Sequence, residues 1–163
     1  MTTLEESVFF IKPPALEQAE KIINELKKQF TVAFSDPIAL PADFWLTFHE
    51  NEISPYKEAN ASYLADKKII LGIVKGENAK IKLFELCGKT FNPEACSPDS
   101  LRYRYRFEPS LIQVDGVAFY VNAIHRSMPE DAQREVNLVR PFIKPRLICR
   151  NQTFTPRKQK TKV

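Results

Sequence analysis

The stretch Lys68–Val74, KIILGIV, is the most apolar in the chain, and its reading decides the fold. A run this short and this apolar is a central strand, covered on both faces. Downstream, Glu77–Cys87 reads as a helix closed by Gly88, where glycine is favoured after the last turn. Upstream, Ser7–Ile11, SVFFI, is a second buried strand, stopped by Lys12-Pro13-Pro14. Between the two strands, Leu16, Ala19, Ile22, Ile23, Leu26 and Phe30 recur at spacings of three and four, which predicts an amphipathic helix over Ala15–Phe30. Val32, Phe34 and Ile38 alternate within Thr31–Leu40, a strand with a bulge or kink at Asp36-Pro37.

Working further outward, Pro41–His49 is a short helix with proline at its start and Phe44, Trp45 and Phe48 on one side. Residues 53–65 form another short helical stretch. Residues 89–116 are a long, proline-containing stretch with few regular signals, followed by a strand at Val117–Ile124, VAFYVNAI. A last helix covers Pro129–Leu138, with Glu130 and Asp131 near its start, where the helix dipole favours acids. The order predicts an α/β (α+β) sandwich of the ferredoxin-like βαββαβ kind. Its four-stranded antiparallel sheet is flanked by helices, with a long loop before the last strand.

At 163 residues the chain suits one domain. Hydrophobic residues make up 44%, enough for a core of ordinary size. No apolar run approaches the roughly 20 residues of a membrane helix. The start, MTTLEESVFF, has no basic segment ahead of an apolar one, so no secretory signal is expected. Cys87, Cys96 and Cys149 are odd in number and lack CxxC spacing. That disfavours a disulfide framework and a zinc site, and it fits a reducing, cytoplasmic location. Charge is unevenly placed: after Glu135 come 8 of the 24 basic residues and no acid, so residues 1–135 hold 16 basic against 20 acidic. The expected organisation is a domain over 5–143 and a basic C-terminal tail over 144–163, which is either an interaction tail for an acidic partner or a solvated extension.

Few residues offer chemistry. Of the two histidines, His49 is read as a packing or surface hydrogen-bonding residue beside Phe48. His125 closes the last strand just before a helix, where α/β folds place reactive groups. Lys12 directly follows the first strand. Arg102, Arg104 and Arg106 alternate with Tyr103, Tyr105 and Phe107, which puts three arginines on one face of an extended segment. They would form an anion clamp or a solvated basic edge. Single-stranded nucleic acid is a weaker candidate, since no RRM, KH or zinc-knuckle pattern accompanies them. With 4 glycines there is no Walker A or Rossmann loop, so a bound nucleotide would have to be held by side chains.

Four segments in order resemble the nucleoside diphosphate kinase family over about residues 5–143. They are FFIKPPA at 9–15, IILGIVKGENA at 69–79, GKTFNPEACSPDSLR at 88–102 and NAIHRSMPEDAQREV at 122–136. The PDSLR form is most similar to the divergent domains of cilia and flagella. The resemblance implies that His125 accepts the terminal phosphoryl group of a nucleoside triphosphate as a phosphohistidine and passes it to a diphosphate. It further implies phosphate contacts for Lys12 and Arg102, sugar and phosphate contacts for Asn122 and Thr90, and base stacking for Tyr56. Ser127 and Glu135 would orient His125. Magnesium would ride on the phosphates, with no protein metal ligands.

The chain also departs from the family pattern. Phe84 stands where a second phosphate-binding arginine is expected, and Arg126 replaces a glycine, either as a substitute phosphate clamp or as a plug. Met128 and Pro14 replace aspartates, and an insertion spans about 103–118. The last loop borders subunit contacts in the family, so the oligomer is left open. Two readings follow: a nucleotide-binding kinase with weak turnover, or a catalytically degenerate module of a ciliary, axonemal or other cytoskeletal assembly, docked on acidic tubulin through its basic tail. Neither involves a membrane, and nucleic acid is the least favoured partner.

Overall fold

The apolar runs at either end of the chain's reading meet in one sheet. In a computed structural model that describes residues 3–143, β1 (Leu4–Ile11) lies between β4 (Lys68–Glu77) and β7 (Ile124–Arg126). β2 (Thr31–Phe34) flanks β4, giving the order β2-β4-β1-β7, and β3 (Ile38–Ala39) pairs with the start of β4. Every pairing is antiparallel. This is the expected ferredoxin-like sheet, lengthened by one short strand. The 144–163 tail lies outside the described residues.

The continuous apolar character of β1 and β4 has a direct cause: both strands are covered on two faces. Alternation sends Phe9 and Ile11 to one side, where α1 (Ala19–Lys27) and α4 (Ala79–Cys87) bring Ile22, Leu26 and Leu83. Val8 and Phe10 go to the other side. There α2 (Ala42–Phe48), α3 (Tyr56–Leu64) and α6 (Ala132–Val139) bring Trp45, Phe48, Leu64 and Val136. Phe9 stands opposite Gly72, and its ring lies where a side chain at 72 would be: a Cβ there would meet Phe9 Cζ at 2.1 Å. None of the helices among the described residues is long and apolar enough to cross a membrane.

Several local expectations are corrected. The strand over Thr31–Leu40 is two strands, because Ser35 turns inward at the expected break and exchanges bonds with Leu71: its N–H donates to the Leu71 carbonyl at 2.8 Å, and its hydroxyl accepts the Leu71 N–H at 3.1 Å. The first helix begins as a 3-10 turn at Pro13–Gln18, and the last as one at Pro129–Asp131. Leu101–Arg104 is a helical turn, α5, not an extended segment, because the Ser100 hydroxyl accepts the Tyr103 N–H and caps it. The three arginines therefore share no face. Arg102 is buried, Arg104 reaches Glu25, and Arg106 lies over the Tyr103 ring.

The expected strand at Val117–Ile124 is likewise divided. Val117–Tyr120 is β6, paired with β5 (Leu111–Val114) in a separate hairpin, and β7 starts only at Ile124. Asp115 and Gly116 form the turn with φ of 53° and 79°. Both values are positive, the conformation a two-residue hairpin of this twist requires. The hairpin fills the apparent insertion and rests on α3 through Phe119 and Tyr63.

Candidate active site

Three segments converge at the open edge of the sheet, where β7 has no neighbour. His125 is the middle residue of β7, directly across from Phe10. Its Nε2 lies 2.9 Å from Oε1 of Glu135, one helical turn into α6. The same oxygen accepts the Ser127 hydroxyl at 2.7 Å, while Ser127 Oγ accepts the Val8 N–H at 3.2 Å. The hydrogens run one way along this chain. With its lone pair committed to Val8, the Ser127 hydroxyl gives its proton to Glu135, and Glu135 Oε1 then acts as acceptor for Nε2–H of His125. That fixes the tautomer and leaves the lone pair on Nδ1. Burial pushes Glu135 up to about 7, opposed by the Ser127 bond. Burial, reinforced by Lys12, Arg126 and Arg102, holds His125 well below its ordinary value, so the imidazole is neutral at pH 7. Its side chain is 16% exposed and so not wholly sealed from solvent.

The cations come from different elements. Lys12 directly follows β1, and its backbone N–H donates to the Ala123 carbonyl at 3.0 Å. Burial, then Arg102, lowers its ammonium to about 7, with Glu52 pulling the other way. Arg102 is 1% exposed and spends its donors on backbone carbonyls: Nε on Ile124 at 3.0 Å, Nη1 on Thr90 at 2.8 Å and on Gly88 at 3.5 Å. Burial, then Arg126, lowers it to about 9. Arg126 lies on the opposite sheet face from His125, its guanidinium 4.3 Å above the Phe84 ring and its Nε on the same Gly88 carbonyl at 3.1 Å. Gly88 is needed there: at φ 125° it turns the chain after α4, and a Cβ would press on Cys96 and Arg102. Among the described residues no carboxylate lies within salt-bridge distance of Lys12, Arg102 or Arg126. Three buried or half-buried cations without a counter-ion make a site that favours an anion.

The remaining sequence-derived residues divide. Asn122 is fully buried, with Nδ2 donating to the Phe91 carbonyl at 3.1 Å and Oδ1 left without a partner among the described residues. Thr90 is half-buried and contributes its carbonyl to Arg102. Tyr56 opens α3 and is 44% exposed, away from the buried cluster. Sequence reading missed Phe10, Phe48 and Glu52 as neighbours of His125; of the two roles expected for His49, the packing one holds. His49 is buried, not on the surface; its Nδ1 meets the Trp45 carbonyl at 3.0 Å, and its ring lies 6.2 Å from that of His125. The alternation of β1, which sends Phe10 to the His125 face, was the available signal.

The family model for nucleoside diphosphate kinase matches residues 5–142. The chain belongs to the nucleoside diphosphate kinase family. Solved structures agree on the fold. The kinase of Aquifex aeolicus is 20% identical with a TM-score of 0.67, over 84% of this chain and 95% of that one. The Borrelia burgdorferi kinase, solved with vanadate and ADP as a transition-state mimic, is 14% identical with a TM-score of 0.71, over 92% and 93%. That of Encephalitozoon cuniculi is 22% identical with a TM-score of 0.67, over 82% and 87%. No curated protein matches the sequence. At these identities the solid likeness to nucleoside diphosphate kinases is in the fold, and the individual residues must be argued from their own surroundings.

Proposed function

We propose that this protein binds nucleoside di- and triphosphates and transfers a phosphoryl group through a phosphohistidine at His125, with weak turnover. The observation that carries this is the one-way hydrogen-bond chain from Val8 through Ser127 and Glu135 to Nε2, which leaves a neutral, partly exposed imidazole with its lone pair on Nδ1. In the first step Nδ1 attacks the γ-phosphorus, an N–P bond forms, and the bond to the β,γ-bridging oxygen breaks. The diphosphate leaves with that electron pair. In the second step an oxygen of another diphosphate attacks the phosphoryl group, the N–P bond breaks, and the lone pair returns to Nδ1. No proton need move, because Nε2 keeps its hydrogen and donates it to Glu135 throughout.

Lys12 and Arg102 supply the positive field for the phosphates; Arg126, held on the other sheet face by Phe84 and Gly88, adds to that field through its charge and not as the expected substitute clamp. The orphan Oδ1 of Asn122 is an acceptor for a sugar hydroxyl, Thr90 borders the phosphates, and Tyr56 offers a face for any base. Magnesium would arrive as a passenger of the nucleotide, ligated by phosphate oxygens and water. The metal would neutralise charge developing on the transferring group. Weak turnover follows from Phe84 and from Arg102, whose donors are already engaged by three carbonyls. The test is formation of GTP from ATP and GDP by wild type and by His125→Ala. The reading predicts slow turnover in the first and none in the second, and equal rates would refute it.

The engaged state of Arg102 also favours a second reading, a catalytically degenerate module that docks on an acidic cytoskeletal surface through residues 144–163. Unchanged microtubule binding after removal of 144–163 would dispose of it.

A further inference from the structure

His125 is enclosed by rings. Phe10, its partner across the β1–β7 ladder, lies flat on the imidazole, with centroids 4.8 Å apart and planes at 14°. Phe48 presents itself edge-on at 5.1 Å and 67°, and His49 at 6.2 Å and 86°. Phe10 is braced in turn by Trp45 at 4.9 Å and Phe48 at 5.7 Å. His49 has its own ring tied to the Trp45 carbonyl. The bond to Glu135 restrains one edge of the imidazole, but a half-turn about the Cβ–Cγ bond would exchange the two sides of the ring, and that torsion is intrinsically broad. A flat ring packed against the imidazole obstructs the turn, because the imidazole would have to pass edge-on through the space the phenyl fills.

We propose that Phe10 is a positioning residue for His125: its stacked ring, braced by Trp45 and Phe48, confines the imidazole to the rotamer in which Nε2 meets Glu135 and Nδ1 faces the phosphate. This rests on the reading of His125 as phosphoryl acceptor. The ring also shields one imidazole face from water. The charged and titratable groups about His125 are Lys12, Arg102, Arg126 and Arg134, which disfavour the imidazolium, together with Glu135 and neutral His49. Loss of the stacked ring admits water and lets protonation move back toward the ordinary range.

The two sides of β1 supply a matched control. Phe9 and Phe10 are both fully buried neighbours, but Phe9 faces α1 and α4. Phe9→Leu and Phe10→Leu each remove a ring while keeping apolar bulk, and chemical denaturation of both records how far each perturbs the fold. For wild type and both variants the measurements are ATP affinity, the single-turnover rate of phosphohistidine formation, and 15N NMR of the His125 imidazole against pH. Phe10→Leu should label about 10- to 100-fold more slowly, with ATP affinity within about twofold, as expected when a reacting group is misplaced. Its imidazole should show mixed tautomers and a higher protonation midpoint, while Phe9→Leu behaves as wild type in all three. Labelling by Phe10→Leu at the wild-type rate, or equal slowing by Phe9→Leu, overturns the proposal. If wild type takes no label, the assignment of His125 as acceptor fails, and the NMR decides the ring's role alone. A single Nε2–H tautomer that persists in Phe10→Leu then overturns it, and one that becomes mixed supports it.

Discussion

Glu135 does two things at once: it sits in the core at 4% exposure and it accepts both neighbouring donors on one oxygen. A buried carboxylate is tolerated only where such donors compensate its lost hydration. Replacing it by glutamine keeps the shape and weakens the acceptor. A charge-assisted bond is worth about 1.5–3 kcal/mol, so phosphorylation of His125 in Glu135→Gln should slow by about 10- to 100-fold. Rapid-quench labelling with ATP would measure this, and an unchanged rate would remove Glu135 from the reaction. Lys12 gives a pH dependence. Its ammonium, brought down to about 7 chiefly by burial, loses its charge as pH rises above that value, whereas a bound phosphate would hold the proton. Nucleotide affinity should therefore weaken as pH rises above 7, and titrations of Lys12→Ala should show that slope flattened.

At the scale of elements, the strands are rigid where the two cores press on them and adjustable elsewhere. Gly72 has no room, because Phe9 fills the space its side chain would take. Gly116 has open space and only an unfavourable φ of 79°. Gly72→Ala should cost about 3 kcal/mol or more, as an overpacked core does, and Gly116→Ala only about 1 kcal/mol. Chemical denaturation of both variants would compare them, and similar losses would contradict the two-sided packing of β1 on β4. The same packing explains why SVFFI and KIILGIV were legible as central strands: burial on both faces leaves an uninterrupted apolar run. The hairpin was written in Val114-Asp115-Gly116-Val117, a two-residue turn pattern, but the poorly patterned segment around it hid it. Arg102 misled because alternation of arginine with tyrosine has the period of a strand, whereas the Ser100 cap selects a helical turn. His125, Ser127 and Glu135 could be named from the sequence through family resemblance. Alternation along β1 offered only the face of Phe10; its stacking on His125, and the approach of His49, depend on the register of β1 with β7 and on the way α2 folds across the sheet.

Taken whole, the molecule keeps two imidazoles neutral in its interior, and that sets how it meets acid. Burial holds His49 down to about 3 and His125 well below its ordinary value, while in the unfolded chain both take a proton below about 6.5. Below that pH the unfolded state binds more protons, so stability falls on acidification, by up to about 1.4 kcal/mol per pH unit for each histidine. Glu135, raised to about 7, works the other way between 4.5 and 7, since its folded form takes the proton first. Glu52, which burial also raises, works in the same direction as Glu135, so the histidine contribution is read from a variant that removes one imidazole. Thermal melts should show His49→Gln losing less stability between pH 7 and pH 4 than wild type does, and an equal loss would mean that His49 is not held neutral by the fold. The central claim, however, is the phosphohistidine. Wild type and His125→Ala should be mixed with magnesium and ATP labelled on the γ-phosphate, quenched in alkali, and assayed for acid-labile, alkali-stable label. Label on wild type alone, chased off by GDP, is the result expected of an Nδ1 nucleophile held by Glu135. No label on wild type while a fluorescent nucleotide still binds, or equal label on His125→Ala, would contradict it.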